Sequence, residues 1–313
     1  MGRQQVVTVT LNPSMDKTVL LPSLQVGGLN RAEEIRLDPG GKGINVARIL
    51  QSFQVRVTAV GFLAGTLGSR IRRELEGIGI RTEFVEVAGE TRTNMKLVDT
   101  WKRVTTEINE PGFDIAPEAL KALNQNLEAL LAETEVMVLG GSLPKGVDTQ
   151  IYYDYIRMAH RFGVKTILDA DGEALAAGIE AIPYAVKPNQ FELEQLVGAK
   201  LETDRDIVEA GRSLLNRGIR VVLVSMGAQG AIVMNETETY RVRPFPIEAL
   251  STVGAGDSMV AVMAHALLVD RPLPELARWS AAAGTLTASK PGTQVSTFEE
   301  IERHVNQVQL QAL

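Results

Sequence analysis

The residues Val6-Val7-Thr8-Val9-Thr10-Leu11-Asn12-Pro13 form an apolar, β-branched run that stops at a pair unable to continue a central strand. That ending places Ser14 to Asp16 at a strand's carboxyl end. Further on, Gly40-Gly41-Lys42-Gly43 is followed by Val46, Ile49, Leu50 and Phe53 at helical spacing, then by strand-like alternation from Val55 to Gly61. The chain therefore opens as strand, loop, helix, strand. The rhythm returns with Leu120, Leu123, Leu127 and Leu130 on one helix face, a strand at 136–139, a helix at 151–159 and strands at 164–168, 184–187 and 221–225. Short apolar strands alternating with amphipathic helices predict an α/β fold, its mostly parallel sheet covered on both faces and its ligands outside the strands' carboxyl ends.

Two segments depart from that rhythm. Residues 17–37 and about 91–108 alternate polar and apolar positions without helical spacing, which predicts short antiparallel strands forming a small second sheet, a natural lid. The final third reads as helices, with Met259, Val260, Met263, Ala264 and Leu267 on one face and Phe298, Ile301, Val305 and Val308 on another. With no internal repeat or low-complexity linker, residues 1–313 are expected to form one domain.

Composition narrows the chemistry. Hydrophobic residues make up 45% and charged residues 22% of the 313, which is globular rather than disordered or fibrous. There is no cysteine, so disulfides, thiolate nucleophiles and cysteine-ligated metals are excluded. His160, His265 and His304 lie far apart, each in a helical stretch, and form no zinc-binding pattern. No run approaches about 18 apolar residues, and the start at Met1, Gly2 and Arg3 lacks a signal-peptide pattern, so no membrane association and a cytoplasmic location are expected. The net charge of −6 without a basic cluster argues against a nucleic-acid partner. Positive charge for an anionic substrate must then be local.

The strongest local signal is Ser251-Thr252-Val253-Gly254-Ala255-Gly256-Asp257-Ser258, running into the Met259 helix. Glycines let the backbone approach a ligand, and the first amides of a helix make an anion site, for which phosphate is the obvious occupant. Asp257 either caps this helix or, since it would repel a phosphate, accepts a proton from a hydroxyl attacking that phosphate. The pattern is neither a Walker A loop nor a dinucleotide fingerprint. In Gly40-Gly41-Lys42-Gly43-Ile44-Asn45, a plain turn competes with a ligand loop in which Lys42 offers a point charge and Asn45 hydrogen-bonds hydroxyls. Asp16 can bind sugar hydroxyls or close an Asx turn. Asn189 and Glu192 have capping-box spacing, while Lys187 and Glu192 are also placed to organise nucleotide phosphates and hydrated magnesium.

Taken in order, Asn12-Pro13-Ser14-x-Asp16, Gly40 to Asn45, Gly140-Gly141-Ser142-Leu143-Pro144, Lys187-Pro188-Asn189-x-x-Glu192, Val224-Ser225-x-Gly227-Ala228-x-Gly230 and Thr252 to Asp257 resemble the ribokinase-like (PfkB) carbohydrate kinases over essentially the whole chain. Lys42, Thr91 to Asn94 and Thr106 to Gly112 resemble the 1-phosphofructokinase and tagatose-6-phosphate kinase branch. Minor 6-phosphofructokinases usually carry Gly at the Lys42 position and Arg near Glu107. The resemblance implies a three-layer α/β/α core, a β-sheet lid that helps form a homodimer, and MgATP as donor. The implied acceptor is a ketohexose phosphate, fructose 1-phosphate ahead of tagatose 6-phosphate and fructose 6-phosphate.

By the same resemblance Asp16, Gly41 and Asn45 hold sugar hydroxyls, Lys42, Arg92 and Arg103 the substrate phosphate, and Ser142 lines the pocket. Lys187, Asn189, Ser225, Gly227, Gly230 and Thr252 serve the nucleotide, and Glu192 the Mg2+. Gly254, Ala255 and Gly256 supply amides, and Asp257 is the base. A non-catalytic sugar-phosphate sensor on the same fold would have no use for that base.

Overall fold

The computed structural model describes residues 5–292 and 294–313. The start at Met1, Gly2 and Arg3, read above as lacking a signal peptide, lies outside the described residues. The opening apolar run becomes β1 (Gln5–Thr10), buried along its whole length. Asn12-Pro13 turns the chain into β2 (Ser14–Leu21), and β3 (Glu34–Gly40) returns antiparallel beside it. The chain continues through α1 (Lys42–Ser52), β4 (Arg56–Ala64), α2 (Gly65–Gly77) and β5 (Arg81–Val87), then leaves again for β6 (Arg92–Asp99) and β7 (Val104–Asn109). Next come α3 (Pro117–Leu131), β8 (Thr134–Gly140), α4 (Ile151–Arg161), β9 (Lys165–Asp169), α5 (Gly172–Glu180) and β10 (Ala185–Val186). After α6 (Gln190–Val197), α7 (Asp204–Asn216) and β11 (Val221–Ser225) come β12 (Ala231–Met234) and β13 (Thr239–Arg243). The helices α8 (Ala255–Leu268), α9 (Leu273–Ala288) and α10 (Phe298–His304) precede the last strand, β14 (Gln309–Ala312).

The main sheet has ten strands in the order β14-β13-β12-β11-β10-β9-β8-β1-β4-β5, parallel from β11 to β5. Strand alternation sorts its side chains into two cores. Val6, Val136, Val138 and Leu223 face α1, α8 and α9, while Val7, Val9, Met137, Leu139 and Val224 face α3, α4 and α7. This is an α/β fold with helices on both faces. Helix α8 is buried on nearly every side rather than on one face, as a predominantly apolar helix packed between the sheet and two helices must be.

The small sheet has the order β3-β2-β6-β7. One pairing differs from the all-antiparallel expectation: β2 and β6 run parallel. Each continues outward from the carboxyl end of the main sheet, so the two leave it in the same direction. The final third also holds more than helices, because β12, β13 and β14 add an antiparallel edge. These strands are only four or five residues long, too short for period-two alternation to stand out. The Phe298 pattern also outruns its helix, since Val305 begins a 3-10 turn and Val308 lies beyond it.

Candidate active site

The carboxyl ends of β1, β8, β9, β10 and β11 meet the inner face of the small sheet around a cleft of about 1060 Å³. Asp16, Gly41, Lys42, Asn45, Arg92, Ser142, Lys187, Asn189, Glu192, Ser225, Gly227, Gly230, Thr252 and Gly254 to Asp257 all line it. Arg103 does not. It sits in the exposed turn between β6 and β7, where its guanidinium reaches Glu248 at 3.3 Å.

Two helix N-termini converge in the cleft. Gly254 adopts the left-handed conformation, φ 77°, and starts α8 without a side-chain cap. Among the described residues, the amides of Gly256 and Asp257 have no protein acceptor, so they remain available to an anion. Asp257 is therefore not a helix cap. Its carboxylate instead accepts a 2.7 Å hydrogen bond from Asn45 Nδ2, on the first turn of α1. That turn depends on Gly41, at φ 116°, where a Cβ would lie 2.7 Å from Thr10 Cγ2. Burial, reinforced by the nearby Asp169 charge, pushes the Asp257 carboxyl up to about 6. The Asn45 hydrogen bond and the Lys42 and Lys187 ammoniums pull in the opposite direction.

Both lysines converge on a residue that the sequence reading did not single out. Asp169 Oδ1, at the end of β9, lies 3.0 Å from Lys42 Nζ and 3.3 Å from Lys187 Nζ. Burial alone would raise its pKa, yet the two ammoniums hold the carboxyl below the usual carboxylate range. Burial likewise works against the charge on Lys42, but Asp169, Asp257 and Glu192 outweigh it and raise the lysine above its ordinary value. Lys42 was expected beside Arg92 on the substrate phosphate. Its ammonium lines the cleft and pairs with Asp169.

Arg92 has partners of its own. It donates to the carbonyls of Glu110 and Asn12 and to Ser142 Oγ, at 2.9, 3.0 and 3.1 Å. Along the same face of β6, Lys96 forms a buried 2.5 Å ion pair with Asp16, whose other oxygen accepts from Ser14 at 2.7 Å. Lys96 was also missed, although the spacing of Arg92, Asn94 and Lys96 in a strand puts all three on one face. Asn12 Oδ1, Asn45 Oδ1, Asn94 Oδ1 and Arg92 Nε are buried without partners among the described residues, and all four residues line the cleft. Such atoms are rare in a folded protein, and here they provide unmet hydrogen-bonding capacity for a hydroxylated ligand.

On the other side, Asn189 and Glu192 close a capping box at the start of α6, with both bonds at 2.8 Å. Phe245, Ile247, Ala249, Ala281 and Ala288 make this end of the cleft apolar, a surface suited to a flat heterocycle.

Comparison with known proteins identifies the assembly. Residues 9–300 match the model of the pfkB family carbohydrate kinases. The chain belongs to that family. The 1-phosphofructokinase of Vibrio cholerae is 32% identical over 310 residues, spanning 99% of this chain and 98% of that enzyme. The 1-phosphofructokinase of Xanthomonas campestris is 40% identical over 274 residues, 85% of each chain. Among solved structures, phosphofructokinase-2 of Escherichia coli in complex with potassium matches with a TM-score of 0.90 at 31% identity, over 98% of this chain and 99% of that one. This pfkB family member is thus an ATP-dependent sugar kinase, with its cleft at the strand ends where open α/β sheets bind ligands.

Proposed function

We propose that the chain transfers the γ-phosphoryl group of ATP to O6 of fructose 1-phosphate, giving fructose 1,6-bisphosphate and ADP. The observation that carries the chemistry is Asp257: a buried carboxylate with a raised pKa, held by Asn45 and set at the start of α8 beside two lysines. The choice of acceptor rests on the full-length relatives named 1-phosphofructokinase and on Lys42 and Glu107, which distinguish the sequence from the minor 6-phosphofructokinase pattern.

In this reading the sugar lies along the small sheet, with its phosphate toward Arg92 and its hydroxyls against Asp16, Asn45 and the unpaired asparagine oxygens. Its free primary hydroxyl reaches Asp257. That oxygen attacks the γ-phosphorus, the new O–P bond forms as the bond to the β-γ bridging oxygen breaks, ADP leaves with the electron pair, and Asp257 takes the hydroxyl proton. Lys42, Lys187 and the amides at 256 and 257 stabilise charge on the group in transit. Arg103 stands apart from this cleft.

The donor set also fits magnesium. Mg2+ keeps most of its waters and is held by one or two carboxylates plus substrate phosphates, a role that Glu192, facing the cleft and backed by Asn189, suits. Bound there, the ion would neutralise nucleotide phosphate charge. The small sheet would act as a lid that excludes water from the transfer. Its outer face exposes Ile35, Leu37, Val104 and Ile108, an apolar patch that a second copy of the chain would cover in a homodimer. The enzyme would work in the cytoplasm, where ATP and sugar phosphates are available.

The test is ADP release with MgATP and fructose 1-phosphate, with the product identified by its two phosphates. Failure to phosphorylate this sugar, with ATP bound to folded protein, would contradict the assignment.

A further inference from the structure

Asp169 ends β9 at the floor of the cleft, with its side chain only 3% exposed. Besides its carboxylate contacts, its backbone carbonyl accepts a second bond from Lys42, at 3.1 Å. The two lysines come from different elements. Lys42 opens α1 on the sugar side, whereas Lys187 follows β10 on the nucleotide side and packs near Gly256. Asp257 lies among them. Two ammoniums and two carboxylates therefore lie close together, all but Lys42 buried, yet both ammoniums turn to Asp169, and the side-chain donor to Asp257 is Asn45. An ammonium bonded to Asp257 would occupy the lone pair that has to receive the hydroxyl proton.

We propose that Asp169 is a positioning residue for phosphoryl transfer: it gathers the Lys42 and Lys187 ammoniums on one carboxylate oxygen, so that both meet the phosphoryl group in transit and neither captures Asp257. The proposal rests on the reading of Asp257 as the base. Asp169 makes no bond to the sugar in this arrangement, so its loss acts on turnover rather than on sugar affinity. Without it the lysines swing to the nearest remaining carboxylate, Asp257, which they hold ionised and block. The charged groups facing Asp257 are Asp169, Lys42 and Lys187, and removing the first leaves only cations there.

The experiment measures steady-state kinetics and kcat/KM–pH profiles with MgATP and fructose 1-phosphate for two pairs: wild type against Asp169→Asn, and Lys42→Met against Lys42→Met/Asp169→Asn. The second pair balances the charge, and it decides the matter if the single Asp169 variant does not fold. Removal of Asp169 is expected to lower kcat by about 10²-fold in the first pair and about tenfold in the second, because one ammonium is already gone. KM for the sugar phosphate should stay within about threefold, and the acid limb should move down by about one pH unit in each pair. A carboxylate that acts by its charge alone would move that limb and leave kcat at the pH optimum within about threefold. An unmoved limb, or a kcat within about threefold of its background, overturns the role of Asp169 alone. A wild type inactive on every ketohexose phosphate overturns the proposed function, and this proposal with it.

Discussion

The side-chain amide of Asn45, on the first turn of α1, donates to the carboxylate of Asp257, on the first turn of α8, at 2.7 Å and across 212 residues of sequence. This bond joins the sugar-side glycine loop to the nucleotide-side glycine loop. It fixes one carboxylate oxygen and leaves the other for a substrate hydroxyl. The bond also favours the ionised form, opposing the burial that raises the pKa.

Asn45→Leu removes that donor. The acid limb of kcat/KM, expected near the Asp257 value of about 6, should then move to higher pH, and turnover near neutrality should fall about tenfold. The sugar phosphate also ionises near about pH 6. Its contribution would not move with Asn45, so comparing the wild-type and variant pH profiles separates the two sources.

Asp257→Asn should keep both substrates bound while lowering turnover by about 10²–10⁴-fold, measured as kcat alongside binding of each substrate. The same change should stabilise the fold. A carboxyl raised from 3.8 to about 6 contributes stability that is complete below its unfolded value and lost as the pH rises through its folded value. Two units correspond to about 3 kcal/mol at most, so the variant should melt higher than wild type at about pH 8, with the difference closing near pH 4.

Arg92→Ala should raise KM for the phosphorylated sugar at least about tenfold, a cost typical of a lost charged contact, and leave KM for ATP nearly unchanged. Lys42→Met should chiefly lower kcat, because its ammonium lies with Asp169 and Asp257. Equal effects of Arg92→Ala on both KM values would contradict its place at the sugar phosphate.

Lys96→Met leaves Asp16 as an unpaired buried carboxylate and should cost about 3–5 kcal/mol of stability, seen as a lower denaturation midpoint. Pairing it with Asp16→Leu should recover much of that loss, since two apolar groups replace the buried pair. Sugar binding would stay lost in the double variant. A double variant no more stable than the single one would show that the pair is not what the lysine supports.

Much of this arrangement was legible in the sequence. The β1 run, the Asn12-Pro13 break and the amphipathic helices predicted the parallel sheet because each expresses a periodicity imposed by burial on a single chain segment. The glycine loops and Asp257 were legible because they depend on local backbone geometry. Asp169 was not, because a carboxylate at the end of a strand carries no periodic signal, and its meaning comes from lysines 127 positions before it and 18 after. Arg103, which the family resemblance assigned to the substrate phosphate, is carried outward by its turn to Glu248. The parallel pairing of β2 with β6 was equally beyond reach, since strand direction follows from where the chain leaves the main sheet.

The most direct measurement is kcat/KM for ADP release with MgATP across fructose 1-phosphate, tagatose 6-phosphate, fructose 6-phosphate and unphosphorylated sugars. A clear preference for fructose 1-phosphate is the expected result. A preference for fructose 6-phosphate, or activity confined to unphosphorylated sugars, would contradict the assigned acceptor.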